Sequence, residues 1–226
     1  MFFFDLWYLA FIAPAIVLMI WAQYRLRSTY AEAQQFPVFQ TGARAARDIL
    51  DSAGLHNVRI EHVGGKLSDH YDPRHRVLRL SHDVYAGQNA AAVGIAAHEA
   101  GHALQDAKGY SLMGIRNAAV PIAKFGSSFG VLLIILGFFL QAMPVVWIGI
   151  IAFGGVVAFQ LINLPVEYDA SRRAKAQLAA LGIVGDTEMV QVQKMLSAAA
   201  LTYVAGALQS LLILLYYVWR FTGSRD

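Results

Sequence analysis

Four long apolar runs leave this chain few folds: Leu6 to Ala22, Phe125 to Gln141, Val145 to Leu164 and Ala198 to Trp219. A helix needs about 20 mostly apolar residues to cross a bilayer. In hydrocarbon, every backbone polar group must be satisfied within a helix or a closed barrel. The runs therefore predict four transmembrane helices. Composition agrees, with 57% hydrophobic and only 15% charged residues, against about 25% charged in an ordinary soluble domain. Met143-Pro144 lies in the short link between the second and third runs, which makes those two a membrane hairpin. Asp5 precedes the first run, and Arg25 and Arg27 follow it. A secretory signal peptide has positive charge before its apolar run and a small-residue cleavage site after it. This segment has neither and reads as a retained helix.

The expected class is a mostly α membrane protein carrying a small α+β domain. Residues 1–24 form the first span, 25–117 a polar domain, 118–164 the hairpin, 165–197 polar helices, and 198–226 the last span with a short tail. Within 25–117, Ala43 to Leu50 reads as a short helix. Asn57 to Val63 and Arg76 to Ser81 alternate as strands do, with Gly64-Gly65 between them as a turn signal. A helix is expected from Asn89 through Asp106, with Gly109 as its stop.

Charge sets the expected orientation. With the N-terminus outside, sixteen of the 18 Lys and Arg fall on the inner side, leaving Arg220 and Arg225 outside. Cytoplasmic loops carry such an excess. Both termini are therefore expected outside, in a multi-pass protein of the cell membrane whose polar domain faces the cytoplasm. The net charge of +3 is spread along the chain without a basic stripe interleaved with aromatics. This fits a lipid bilayer as partner and no nucleic acid. There is no cysteine, so a disulfide framework and a thiolate metal site are both excluded.

The chemistry sits in His98-Glu99-Ala100-Gly101-His102, an HExxH pattern. Positions four apart share a helix face, so His98 and His102 can hold one zinc ion. Glu99 lies about 100° round the helix, beside the metal rather than on it. It is placed to act as general base, taking a proton from a zinc-activated water and passing it to a leaving amine. Ala97, Ala100, Gly101 and Ala103 keep the metal face uncrowded. The strand His75 to Leu80 could bind an extended substrate through main-chain hydrogen bonds.

A catalytic zinc takes three protein ligands and keeps one position open. The candidate third ligand is Glu167, in Pro165-Val166-Glu167-Tyr168-Asp169-Ala170-Ser171. Two membrane crossings separate it from His102, and an even number returns it to the same side. Its alternative is an interfacial charge at the start of a helix after Pro165. Asp106, one turn after His102, and Asp169 are candidate carboxylate supports for the imidazoles. Tyr168, Arg172 and Arg173 are candidate oxyanion stabilisers whose plainer role is anchoring at the membrane surface. His56, His62, His70, His75 and His82 read as surface residues.

The stretches Ala97-His98-Glu99-Ala100-Gly101-His102-Ala103-Leu104-Gln105 and Val166-Glu167-Tyr168-Asp169-Ala170-Ser171-Arg172-Arg173-Ala174 resemble the YugP-like family of bacterial membrane zinc metallopeptidases. The resemblance covers nearly the whole chain. The layout is also similar to HtpX-like and CAAX-prenyl-protease-like membrane gluzincins, which place a hairpin between HExxH and a glutamate ligand. Those have aspartate four residues after the glutamate, where this chain has Ser171. The resemblance implies peptidase activity and does not supply a substrate. The expected enzyme is a zinc metalloendopeptidase with one Zn2+ per chain and a peptide or protein substrate, membrane proteins being one candidate class.

Two other readings compete. An intramembrane site-2-type protease carries HExxH within a spanning helix, faintly echoed by Asn163, Pro165 and Asp169, but the apolar stretch from Ala90 to Leu104 is short for that. A non-catalytic scaffold holding zinc structurally has no use for a base at Glu99 and would close the site with a fourth ligand. Nothing in the sequence fixes an oligomeric state.

Overall fold

The computed structural model describes residues 6–65 and 68–223. Asp5 and Arg225, invoked above, lie outside that range. The elements run α1 (Leu6–Ala33), α2 (Gly42–Ser52), β1 (Arg59–Val63), β2 (His70–Asp72), β3 (Val77–Ser81), α3 (His82–Tyr85), α4 (Ala90–Ala107), α5 (Ser111–Phe139), α6 (Met143–Ala180) and α7 (Asp186–Thr222). The chain divides into two compact units.

One unit comprises Met1–Ala22, Gly114–Pro165 and Leu201–Asp226. Three helices, α1, α6 and α7, are long and apolar enough to cross a membrane. Two segments of α5, Ser111–Pro121 and Ala123–Phe139, meet at 44° and pass the same test together, which gives up to four. Pro121 accounts for the bend, because its ring clashes with the carbonyl one turn back and it has no N–H to donate. Within this unit α5 and α6 pack at backbone distance. A Cβ on Gly149 would lie 2.6 Å from the Gly130 carbonyl oxygen, so only small residues allow the approach. Aromatic rings join α1 to α7: Trp7 lies 5.8 Å from Trp219, Tyr8 meets Tyr216 edge-on at 5.1 Å, and Phe11 stacks on Trp219 at 5.4 Å.

The other unit comprises Gln23–Met113 and Val166–Ala200. Its sheet has the order β1-β3-β2, with β3 parallel to β1 and antiparallel to β2. The expected strands are present at slightly shorter lengths. The short β2, which the sequence did not reveal, takes the second side of β3. That overturns the expected substrate strand at 75–80, since β3 is central and both its edges are paired. The two edge strands are β1 and β2.

Helix α4 starts where the sequence placed it. Asn89 caps it by accepting a bond from Ala92 N–H at 2.9 Å, and Gly109 ends the turn beyond it at φ +62°. The core of this unit gathers on α4: Ala90, Ala91, Val93, Ala96, Ala97, Ala100 and Ala103 are buried with Ile49 and Leu50 of α2, Leu78 and Leu80 of β3, and Leu178 of α6. Helix α6 runs through Pro165 without a break, so Glu167 is an interior residue of a 38-residue helix and not the start of one. The ring removes one backbone donor and the neighbouring turns hold the helix. Helix α7 likewise joins the polar residues from Asp186 to the apolar run in one element. The boundaries expected near residues 24, 164 and 197 all fall inside helices.

Candidate metal centre

Helix α4 places His98 and His102 one turn apart on one face, with ring centroids at 4.8 Å. Gly101 faces α6, where a Cβ would come within 2.5 Å of the Ala170 carbonyl oxygen. That close approach brings Glu167 over the imidazoles. Its Oε2 lies 3.2 Å from His98 Nε2 and 3.6 Å from His102 Nε2. The three side chains each offer a donor atom, all within 4.8 Å of one another. Glu167 and His102 are buried, with side chains 3% and 8% exposed, and His98 reaches the surface at 14%.

Burial opposes ionisation of Glu167, but hydrogen bonds and charge from His102 and His98 outweigh it and hold the carboxyl well below its ordinary range. Burial likewise disfavours a charged His102, yet the bond to Glu167 and the nearby carboxylate of Glu99 raise its pKa. Positive charge between these groups is therefore favoured.

The other ring nitrogens are tied outward. His98 Nδ1 is 3.1 Å from Ser171 Oγ, and His102 Nδ1 is 2.9 Å from Gln105 Oε1. Gln105 is fully buried, and its Nε2 donates to Val166 O at 2.8 Å and to Asp169 Oδ2 at 3.0 Å. Its amide is thereby oriented, so Gln105 Oε1 accepts from His102 Nδ1–H and the lone pair of His102 Nε2 turns inward. Asp169 also accepts from Arg173 Nε at 2.5 Å and from Arg172. Burial raises the Asp169 carboxyl, but these bonds from Arg173, Gln105 and Arg172 bring it down to about 2. The Arg173 guanidinium lies 5.9 Å from the centre of the Tyr110 ring.

Two expectations change here. Neither Asp106 nor Asp169 is the direct support of an imidazole among the described contacts. Ser171, four residues after Glu167, is the partner of His98. Gln105 supports His102 and passes the connection on to Asp169. The sequence signal for Gln105 is its spacing, since a residue three beyond His102 lies on its face. Arg172 and Arg173 are committed to Asp169, and Tyr168 is exposed.

Glu99 points to the sheet. Its Oε2 accepts from Tyr71 N–H of β2 at 3.2 Å. Two turns further along α4, Asp106 Oδ2 accepts from the Tyr71 hydroxyl at 2.9 Å. Burial and then this bond push the Tyr71 phenol up, so it stays a neutral donor. The remaining histidines stand elsewhere: His56 pairs with Asp51, His75 with Asp72, His62 stacks edge-on with His82, and His70 bonds the Ser68 carbonyl.

Two inward imidazole nitrogens and one ionised carboxylate suit a borderline cation such as zinc, and their outward partners fix the tautomers that ligation requires. A family model described as "Putative neutral zinc metallopeptidase" matches residues 8–222. The chain belongs to this family. It is also 44% identical over 214 residues to the "Putative membrane protease YugP" of Bacillus subtilis (strain 168), covering 94% of this chain and 95% of that one. No solved structure matches the chain. Membership of a zinc metallopeptidase family implies zinc, and the cluster of His98, His102 and Glu167 is a group able to hold a metal ion.

Proposed function

We propose that this chain is a membrane-bound zinc endopeptidase of the HExxH gluzincin type, with one zinc per chain held by His98, His102 and Glu167. The observation that carries the reading is the convergence of those three side chains from two helices within 4.8 Å, with Glu99 beside them at the edge of a sheet. Zinc held there would polarise a peptide carbonyl and make water acidic enough to react at neutral pH. Glu99 would serve as the base, accepting a proton from the attacking water and returning it to the leaving amine. The substrate is an extended peptide or protein segment, from membrane proteins among others. Helix α4 belongs to the unit that contains the sheet, which favours this reading over a protease working inside a spanning helix.

The charge distribution supports four spans, both termini outside and the metal centre on the cytoplasmic side. Reporter fusions at Gly65 and after Gly223 should then read opposite sides of the membrane, and a cytoplasmic tail would overturn that topology.

Glu99→Gln tests the mechanism. It removes the base and leaves both imidazoles. Activity on a casein-like or membrane-protein substrate in detergent should fall by about 10²–10⁴-fold, the usual worth of general-base catalysis. Zinc content should stay at wild type. Wild-type cleavage by Glu99→Gln, with His98→Ala inactive, would assign the base elsewhere. If neither substitution alters cleavage, a scaffold reading replaces the enzyme.

A further inference from the structure

Tyr71 touches α4 twice, and each contact uses a different part of the residue. Its backbone N–H meets Glu99 and its hydroxyl meets Asp106. Glu99 and Asp106 are seven residues apart, two helical turns and about 10.5 Å along the axis, so they share one face of α4. The side chain of Tyr71 lies along that face, buried at 9% exposure. On its other side β2 is held by β3, with Tyr71 opposite Leu78. In an antiparallel pair, residues alternate between bonding the partner strand and pointing away from it. Tyr71 N–H points away, toward α4.

We propose that Tyr71 is a positioning residue: its phenol, anchored on Asp106, fixes the register of β2 along α4, and its backbone N–H thereby orients the carboxylate of Glu99. This rests on the assignment of Glu99 as base. With Oε2 engaged by Tyr71, Oε1 is the oxygen that receives the proton. The strand has only three residues, so ladder bonds to β3 alone hold its position weakly. The Tyr71–Asp106 bond is the fastening at the far end of the lever. It also accounts for Asp106, an acidic residue on the Glu99 face of α4 that supports no imidazole among the described contacts.

The test uses the zinc-loaded full chain in detergent and the variants Tyr71→Phe, Asp106→Ala, Asp106→Asn and Tyr71→Phe/Asp106→Ala. Tyr71→Phe and Asp106→Ala should each lower kcat by about tenfold, the scale of one hydrogen bond to a charged group. KM should stay within about twofold, because neither substitution removes a group placed against substrate. The double variant should be no worse than either single one, since both remove the same bond. Asp106→Asn, whose amide oxygen can still accept, should restore most of kcat. Zinc content should not move in any of them. A purely structural role would instead lower melting temperature and leave kcat intact under folded conditions. Wild-type kcat in Tyr71→Phe, additive losses in the double variant, or loss of zinc would each overturn the proposal. A second readout is independent of turnover: hydrogen exchange at the Tyr71 amide should accelerate in Tyr71→Phe and Asp106→Ala, with the α4 amides unchanged. If the wild type cleaves nothing, the endopeptidase reading fails, and unchanged exchange at Tyr71 would still refute the clamp separately.

Discussion

Replacing Gln105 by leucine isolates one hydrogen bond at the metal centre. The amide makes three bonds, and their losses are unequal. Val166 O lies inside α6 and keeps its helical partner. Asp169 keeps Arg172 and Arg173. Only His102 Nδ1–H is left buried without its acceptor, and leaving one buried donor unsatisfied costs about 1–3 kcal/mol. Leucine fills nearly the same volume, so no large cavity adds to this. The loss falls on the group that fixes the His102 tautomer, and removing such a support weakens metal binding by about 10–100-fold. The assay is zinc affinity by competition with a chromogenic chelator, with melting temperature recorded on metal-free and loaded protein. Gln105→Leu should bind zinc 10–100-fold more weakly, and its loaded form should lose more stability than its metal-free form. Wild-type zinc affinity in Gln105→Leu would refute the argument, because the tautomer of His102 would then be set by something other than the buried amide.

Gly101→Ala puts a methyl group 2.5 Å from the Ala170 carbonyl oxygen, which is backbone and cannot rotate away. Separation of α4 from α6 should cost about 1–3 kcal/mol and reduce zinc per chain; full zinc occupancy with an unchanged melting temperature would show that the helices do not approach so closely. On the sheet, Asp72 is held well below its ordinary value of 3.8, first by the hydrogen bond from His75 and then by those from Arg79 and the His75 and Arg74 amides, against an opposing effect of burial. A depressed folded-state pKa gives stability that is present above the unfolded value and lost as pH falls through the folded one. Asp72→Asn should therefore flatten the acid side of the profile of melting temperature against pH below about pH 4, and an acid limb identical to wild type would exclude Asp72 as its source.

Sequence patterning made the four apolar runs, the capped helix at 89–107 and the pairing of His98 with His102 legible, because each depends on spacing along one element. Glu167 was reached by counting crossings, which needs topology but no packing. The supports of the imidazoles were not legible in the same way. They depend on how α4 lies against α6, and Gly101 sets that distance without carrying any chemistry of its own. Preference for carboxylates therefore pointed to Asp106 and Asp169, whereas packing put Ser171 and Gln105 in contact with the rings. Strand β2 escaped for a related reason: three residues are too few to show alternation. Its role comes from Tyr71 and the partner strand. The continuity of α6 through Pro165 was hidden because proline usually marks a boundary, and the surrounding helix overrode that local preference.

The ring cluster between α1 and α7 has a spectroscopic counterpart. All four tryptophans, Trp7, Trp21, Trp147 and Trp219, belong to the unit that contains the apolar helices, and none lies within Gln23–Met113 or Val166–Ala200. Indole emission from this protein therefore follows one unit only, with Trp7 and Trp219 close enough at 5.8 Å to perturb each other. A denaturation curve recorded through tryptophan would carry no indole signal from within the other unit. That unit has phenols but no indole, and a single tryptophan placed in it would give it an optical signal of its own.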